Sequence, residues 1–139
     1  MTKNAITYDL SAEDLEADDL GSGFFDGWAT PLSPSEHLQL LRHATHVVLA
    51  TEDTMVVGFV NALSDGVLSA YIPLLEVIPS HRGRGIGSEL VRRLLLQIGP
   101  IYMVDVMCDD DVVPFYERLG FTRAGGVVRR NYAWREAVS

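Results

Sequence analysis

The chain has 139 residues, 47% of them hydrophobic and 22% charged, with a formal net charge of −8 at pH 7. This length and balance predict one folded domain over residues 1–139 and exclude an intrinsically disordered protein. The one cysteine, Cys108, excludes an internal disulfide and a cysteine-based zinc site, and no apolar run reaches the roughly 18–20 residues of a membrane span. The first ten residues lack the apolar segment of a secretion signal, so a cytoplasmic protein is expected.

The first part of the chain predicts one strand and two helices. Residues 4–10 have the pattern of a first strand, and residues 11–20 begin like a capping box and predict a short acidic helix. Aromatic side chains then cluster at residues 24–28, where they more often plug the edge of a core than bind a ligand. Residues 35–43 predict a helix with leucines on its inner face.

Three strands are predicted next, at residues 46–51, 55–63 and 67–78. Asp65-Gly66 is a strong signal for a two-residue hairpin between the second and the third. The third strand contains Pro73, which has no N–H to donate, so this strand must bend or bulge there. It ends at Ile78, since a proline follows.

The last part of the chain predicts two helices and three strands. From residue 85 or 86 to residue 97, apolar side chains recur at helical spacing, and a Gly-Pro pair stops this helix. The run from Ile101 to Met107 is almost wholly apolar, as in a strand covered on both faces. A helix at residues 112–119 follows a triplet of aspartates that caps its start. Residues 121–123 and 127–134 predict two closing strands, and the whole order predicts one mixed α/β domain.

One loop carries the clearest chemical signal. Residues 77–88 read Val-Ile-Pro-Ser-His-Arg-Gly-Arg-Gly-Ile-Gly-Ser and join a predicted strand to the long helix. Free N–H groups and the dipole at a helix start favour an anion, and glycines allow the backbone to approach it. Arg82 and Arg84 add positive charge, so the loop predicts a pyrophosphate site; the alternative is a tight connection without a ligand. The glycine spacing differs from both the dinucleotide fingerprint and the P-loop.

Two motifs resemble one family. Arg82-x-x-Gly85-x-Gly87 after a strand resembles the acyl-CoA pyrophosphate loop of the GCN5-related N-acetyltransferases (GNAT). Tyr116-x-x-x-Gly120-Phe121 resembles the second signature of that family and follows in the expected order. The resemblance implies the GNAT fold, a mixed, mostly antiparallel sheet of six to seven strands with helices on both faces. It also implies a splayed V between the strand that ends at Ile78 and the strand from Ile101 to Met107.

The same resemblance implies where acetyl-CoA binds. Backbone groups around Leu75, Glu76 and Val77 would bind the pantetheine arm in the V, and an N–H near Val77 or Ile78 would polarise the thioester carbonyl. The residues implied to hold the pyrophosphate are Arg82, Gly83, Arg84, Gly85, Ile86, Gly87 and Ser88. Asp109 stands where the family has an asparagine, and a carboxylate accepts hydrogen bonds but does not donate them.

Three side chains are candidates for proton transfer. Tyr116 matches the general acid of the family, and a phenol with a pKa of about 10 is close to a thiol of about 8–9; the alternative is an ordinary core tyrosine. Glu76 is the candidate general base, because partial burial in the bent strand would raise its pKa; the alternative is a solvent-facing glutamate. Asp105 is a further candidate base, one position away from the acid that some family members use.

The charge is unevenly distributed, with a net −9 in residues 1–69 and +1 in residues 70–139. The acidic half favours a cationic acceptor, or it only keeps the protein soluble. No basic helix or run indicates binding to nucleic acid or to an anionic membrane. The histidines lack the spacing of metal ligands, so no metal is expected.

Together these features predict an N-acetyltransferase that transfers acetyl from acetyl-CoA directly to a primary amine of a small amine, an amino sugar or a peptide. A non-catalytic acyl-CoA sensor or scaffold is the main alternative, and a domain that binds another anion is a further one. The two predicted closing strands permit a homodimer.

Overall fold

The computed structural model describes residues 5–137 and contains six strands and four α-helices within them. The strands are β1 (Ile6–Asp9), β2 (His46–Glu52), β3 (Met55–Ser64), β4 (Ser69–Ile72), β5 (Leu75–Val77) and β6 (Met103–Val106). The helices are α1 (Pro34–His43), α2 (Ile86–Ile98), α3 (Val113–Glu117) and α4 (Tyr132–Ala137). Asn4, the expected start of the first strand, lies outside the described residues.

The six strands form one mixed sheet with helices on both faces. β1, β2 and β3 pair antiparallel in chain order. β4 and β5 both pair antiparallel with β3, one after the other along its length, and β6 pairs in parallel with β4. This topology confirms the predicted fold class, with the sheet at the lower end of the expected strand number.

Both faces of β2 and β3 are buried, which explains their nearly continuous apolar sequence. On one face, Val48 and Val60 pack in a fully buried cluster with Leu90 of α2. On the other, Leu49 and Phe59 pack with Leu41 of α1. The aromatic segment at residues 24–28 joins this second cluster through Phe25, which is 2% exposed, so it plugs the core as expected.

Local signals place α1 and α2 close to their predicted positions. The Ser33 Oγ accepts the Glu36 N–H at 3.1 Å, and Glu36 Oε1 accepts the Ser33 N–H at 3.0 Å, so a capping box begins α1. Gly99 ends α2 with a positive φ of 83°.

The predicted acidic helix at residues 11–20 is wrong. Only a single 3-10 turn forms there, at Ala17–Asp19, and its capping box uses Glu16 and Asp19 instead of Ser11. The segment is short and carries several like charges on neighbouring turns, and both features disfavour a helix.

The hairpin between β3 and β4 is longer than the expected two residues, since residues 65–68 lie between the strands. Asp65 Oδ1 accepts the N–H groups of Val67, Leu68 and Ser69 at 2.8, 2.8 and 3.1 Å. These bonds hold the pKa of Asp65 down at about 2. The aspartate therefore organises a four-residue turn.

Two predictions at the C-terminal end are wrong. β6 is shorter than the run from Ile101 to Met107, and only one face is covered, because Met103 and Asp105 are exposed. The closing strands at residues 121–123 and 127–134 do not form, and residues 121–131 are irregular. Asn131 accepts the Trp134 N–H at 3.0 Å and so starts α4, whose alanines and charged residues favour a helix over a strand.

Candidate active site

The sheet contains a V-shaped opening, which begins at Pro73. Before this proline, β4 pairs with β6 from Ser69↔Met103 to Ile72↔Val106. After it, β5 pairs with β3 and with no other strand of residues 5–137, so β5 and β6 form the two unpaired walls of the V. The predicted strand 67–78 is thus divided in two, and the predicted splay lies between its second half and β6.

A buried asparagine holds the bulge from which the V opens. The pairing of β3 shifts by one residue between β4 (Leu63↔Tyr71) and β5 (Val60↔Leu75). Asn61, 4% exposed, accepts the Leu74 N–H on Oδ1 at 3.1 Å, and its own N–H donates to the Leu74 carbonyl at 3.2 Å. The side chain and the backbone of Asn61 together provide hydrogen-bond partners for the N–H and the C=O of Leu74, at the point where the regular pairing with β3 is interrupted.

The backbone of β5 presents two residues to the open side of the V. The Ile78 N–H donates to the Val57 carbonyl at 2.9 Å, and the Leu74 carbonyl faces Asn61, so these residues point towards β3. Because backbone groups alternate along a strand, Leu75 and Val77 point their N–H and C=O groups away from β3. Of the two expected N–H donors, Ile78 is already used and Val77 faces the opening.

Glu76 lies on the α1 face of β5 and is half-buried. Its Oε1 accepts the Phe25 N–H at 2.7 Å, which ties the aromatic segment to this wall. Burial raises the pKa of the Glu76 carboxyl above its usual value, while the bond from Phe25 and the positive charge of Arg82 act in the opposite direction. Glu76 is therefore half-buried, unlike the solvent-facing glutamate of the alternative interpretation, and one of its carboxylate oxygens accepts a hydrogen bond.

The glycine-rich loop runs directly from β5 into α2. Gly83 and Gly85 have φ values of 78° and 79°, the left-handed region that favours glycine. The first bond of α2 runs from the Glu89 N–H to the Gly85 carbonyl at 3.2 Å. The N–H groups of the three residues before Glu89 have no acceptor within the helix, so they are available to an anion. These residues are Ile86, Gly87 and Ser88.

The two loop arginines have acceptors in the protein. Arg82 donates from Nε to the Val77 carbonyl at 3.0 Å and remains largely exposed. Arg84 Nη1 lies 3.2 Å from Glu52 Oε2, and His81 Nε2 lies 3.1 Å from the other oxygen of Glu52. The hydrogen bond to His81 is the main cause of the lowered pKa of Glu52. Glu52, at the end of β2, thereby ties the loop to the sheet.

Tyr116 is 5% exposed and lies on α3. Its ring contacts those of Phe115 and Phe121, with centroids 4.9 and 5.3 Å away. Burial raises the pKa of Tyr116 to about 12, and Cys108 acts in the same direction. Tyr116 lines a groove of about 420 Å³ alongside β6. Because its pKa is about 12, the phenol is protonated throughout the physiological range of pH.

The other expected site residues lie near β6. Asp109 is exposed, and its backbone carbonyl accepts the Val112 N–H at 2.9 Å before α3. Asp105 is exposed on the α1 face opposite Tyr71 in the register. Gly87 of the glycine-rich loop lies next to Phe115, which precedes Tyr116 of the second motif. A Cβ at Gly87 would lie 3.7 Å from the Phe115 ring.

Neither the role of Asn61 at the bulge nor the position of Glu52 beside the loop was expected from the sequence. An amide within the apolar strand β3 was the available signal for Asn61, but its partner Leu74 is set by the fold. Glu52 carried no signal, since its partners lie about thirty residues away. Within the described residues, no group of three His, Cys, Asp or Glu side chains is placed to hold a metal ion, and no helix is long and apolar enough to cross a membrane.

Comparisons with known proteins agree with this geometry. The family model described as "Acetyltransferase (GNAT) family" matches residues 10–121. A crystal structure from Deinococcus radiodurans R1, whose protein has a provisional acetyltransferase name, is 50% identical with a TM-score of 0.89, covering 96% of this chain and 95% of that one.

Two curated relatives match over shorter stretches. The chloroplastic GCN5-related N-acetyltransferase 3 of Arabidopsis thaliana is 39% identical over 77 residues, which are 54% of this chain and 32% of that protein. Serotonin N-acetyltransferase of Mesocricetus auratus is 37% identical over 60 residues, 41% of this chain and 29% of that protein. The chain thus spans about a third of the length of these relatives. Because the family model matches most of the length of this chain, the chain belongs to the GCN5-related N-acetyltransferase (GNAT) family.

Proposed function

We propose that this protein transfers an acetyl group from acetyl-CoA directly to a primary amine. The observation that carries the proposal is the V between β5 and β6, with a glycine-rich helix start at one end of the β5 wall. In this reaction a protonated amine first loses one proton to become the neutral nucleophile. Its nitrogen then attacks the thioester carbonyl carbon, the C–S bond breaks to release the CoA thiolate, and the nitrogen loses a second proton. Each of these changes has a candidate residue in the site.

The start of α2 suits the pyrophosphate of CoA. Three N–H groups without helical acceptors, the positive end of a 13-residue helix and the loop arginines all favour a phosphate anion. Gly83 and Gly85 have open space where a Cβ would lie, so their role is the left-handed backbone that turns the loop. The residues proposed to hold the pyrophosphate are Arg82, Gly83, Arg84, Gly85, Ile86, Gly87 and Ser88.

The β5 wall suits the pantetheine arm and the thioester. The backbone groups of Leu75 and the Val77 N–H face the opening, as an added strand would require, while the Val77 carbonyl already accepts Arg82. The Val77 N–H is the proposed donor to the thioester oxygen, where negative charge develops as the amine attacks. Ile78 contributes by packing, because its N–H is bonded to Val57. The exposed carboxylate of Asp109 is the proposed acceptor for an N–H of a pantetheine amide.

Glu76 is the proposed general base. The nitrogen must lose a proton as it attacks, and a carboxylate with a raised pKa is better suited to accept it than an exposed one. Oε1 is bonded to Phe25, so the free lone pairs of the carboxylate receive the proton, directly or through one water.

Tyr116 is the proposed hydrogen-bond donor to the departing thiolate. Its raised pKa means that full proton transfer to a thiolate of pKa about 8–9 is uphill. A donated hydrogen bond stabilises the developing charge without that transfer. The raised pKa therefore supports a role as electrostatic stabiliser in place of the expected role as proton donor.

The acceptor is proposed to be cationic at neutral pH, because residues 1–69 carry a net −9 and supply the side of the sheet that Glu76 faces. The relatives' names include acceptors as different as serotonin and histone, so they do not select one. We also propose that the protein is cytoplasmic. The thiol of Cys108 is free and exposed, which suits a reducing compartment.

Two measurements test the proposal. Calorimetry measures CoA binding, and thiol release from acetyl-CoA is followed with a thiol reagent across panels of small amines, amino sugars and peptides. Binding with amine-dependent thiol release and an N-acetylated product supports the enzyme. Binding without release for every acceptor supports the non-catalytic acyl-CoA module instead, and absence of binding contradicts both.

Ser88→Asp separates binding from folding. A carboxylate in the first turn of α2 stabilises the helix but repels the phosphates, so we expect an unchanged or higher Tm and CoA binding at least about tenfold weaker. Gln39→Asp, on α1, is the matched control and should leave CoA binding unchanged. An unaltered Kd for Ser88→Asp would remove the helix start from the site.

A further inference from the structure

The glycine-rich loop before α2 makes few contacts through its own backbone. The N–H groups of Gly83 and Gly85 donate to no described residue, and a Cβ at either glycine would meet nothing within 4 Å. Glycine also leaves more backbone conformations open to an unrestrained loop than other residues do. The conformation of the loop therefore depends on side-chain bonds to the rest of the molecule.

One carboxylate, that of Glu52, holds this loop at two residues. Its Oε1 lies 3.1 Å from His81 Nε2, and its Oε2 lies 3.2 Å from Arg84 Nη1. His81 Nδ1 is in turn 2.8 Å from the Ser80 hydroxyl. A neutral imidazole that donates from Nε2 to the carboxylate can accept the hydroxyl on Nδ1, so one tautomer satisfies both contacts. Glu52 therefore connects a chain of side chains that runs from Ser80 to Arg84.

The end of β2 brings Glu52 to this position. Val48 and Ala50 pack in the same buried cluster as side chains of α2. Glu52 follows two residues later, so it lies on the same face of the sheet. The pairing of β2 with β3 also shifts by one residue between Ala50 and Thr51, directly before Glu52. A bulge of this kind redirects the side chains beside it.

The bonds of Glu52 are better shielded from water than an ordinary surface ion pair. The side chains of Glu52, His81 and Arg84 are 23%, 14% and 18% exposed. In the Glu89–Arg93 pair on α2 the corresponding values are 36% and 45%. Partly buried charges are screened less by salt than exposed ones, so the Glu52 contacts restrain the loop more firmly than a surface pair would.

We propose that Glu52 is a positioning residue for the CoA site. By holding His81 and Arg84, it keeps the glycine-rich loop in the conformation that receives the pyrophosphate. A loop that is ordered in advance does not have to lose its freedom when the ligand binds. The inference rests on the proposed function, because it requires that this loop binds CoA. Glu52 has no part in the transfer step itself, so it acts on CoA affinity and not on kcat.

A role through charge alone would have the opposite sign. A carboxylate near a phosphate site repels the anion, so its removal would strengthen CoA binding if Glu52 did nothing else. Loss of a positioning residue weakens binding, because the loop must then be ordered at the expense of CoA affinity. The direction of the change in Kd separates the two roles.

The first experiment compares wild type with Glu52→Gln and Glu52→Ala. Calorimetry gives the Kd of CoA, and thiol release gives KM and kcat for acetyl-CoA. We expect Kd and KM to rise at least about fivefold in Glu52→Gln, and further in Glu52→Ala, with kcat within about twofold, because Gln keeps one acceptor oxygen and Ala keeps none. Glu36→Gln, which removes an ion pair of 3.1 Å to Arg135 on α1, is the matched control and should change none of these constants.

The outcomes distinguish this inference from the proposed function. A wild type that does not bind CoA overturns the proposed function and the role of Glu52 with it. A wild type that binds CoA, with an unchanged or lower Kd in Glu52→Gln, overturns the role of Glu52 alone, and so does a fall in kcat without a change in KM. If circular dichroism shows that both Glu52 variants are unfolded, His81→Ala, which removes one of the two attachments, replaces them with the same expected direction.

The second experiment tests whether His81 acts through Glu52. His81→Ala alone should raise the Kd of CoA by about two- to threefold, since Arg84 still holds the carboxylate. In a chain that already carries Glu52→Ala, the same substitution should have no further effect on Kd, because its partner is absent. Equal effects of His81→Ala in the two backgrounds would show that the residues act independently and would overturn the proposal.

Discussion

The two walls of the V are held in different ways. β5 is fastened by backbone pairing to β3, by Asn61 at its bulge and by the Arg82 bond to the Val77 carbonyl. β6 is four residues long, pairs with β4 and with no other described strand, and has one exposed face. The wall proposed to orient the thioester is thus fixed at several points. β6 has fewer such attachments among the described residues, so we expect it to be the more deformable of the two.

The largest expected effect tests this difference directly. Asn61→Ala leaves the part-buried Leu74 N–H without its acceptor and should lower the free energy of unfolding by about 1–3 kcal/mol. The matched truncation on the other wall, Met103→Ala, removes a side chain that is 37% exposed and should cost under about 0.5 kcal/mol. Urea unfolding measures both, and equal losses would contradict the comparison.

The next effect concerns the β6 side. Tyr116→Phe keeps the buried ring and removes the hydroxyl, so we expect kcat to fall at least about tenfold, or ~1.4 kcal/mol, with little change in CoA binding. Tyr102→Phe, at a tyrosine that is 84% exposed, is the control and should leave turnover unchanged. Turnover that survives in Tyr116→Phe would exclude this residue from the mechanism.

A smaller effect is expected in the pH dependence of the β5 wall. The pKa of Glu76 is raised in the folded protein, so its titration favours the fold below the ordinary glutamate pKa, and this contribution is lost as pH rises through the folded value. In turnover the sign is opposite, because the base must be ionised, and kcat/KM should rise with pH through the same pKa. Glu76→Gln should remove both dependences. A wild-type profile in this variant would assign the base elsewhere.

The smallest effect lies in the hairpin that connects β3 to β4. The pKa of Asp65 is lowered to about 2, so its stabilisation is present above the ordinary aspartate pKa and is lost as pH falls towards that value. Asp65→Asn keeps an acceptor oxygen and should make acid unfolding less steep, while Asp14→Asn, at an exposed carboxyl, should not. Acid titration followed by circular dichroism compares the two variants.

Local sequence was enough for the features that local chemistry determines. The Ser33 cap, the glycine-rich loop and the amphipathic face of α2 follow from neighbouring residues, and Pro73 correctly marked the place where its strand is interrupted. The pairing of β5 with β3 required long-range register, and so did the bonds of Asn61 and Glu52. The closing strands failed for the same reason, because valines at residues 127 and 128 form a strand only where an edge receives them.

The bond between Phe25 and Glu76 has a consequence for the proposed base. This N–H lowers the pKa that burial raises, so the basicity of the carboxylate depends on where the aromatic segment sits. A substitution that weakens the packing of this segment against the core would also weaken the bond and leave a stronger base on the acceptor side. The hydrophobic core around Phe25 thereby helps to set the proton affinity of the carboxylate.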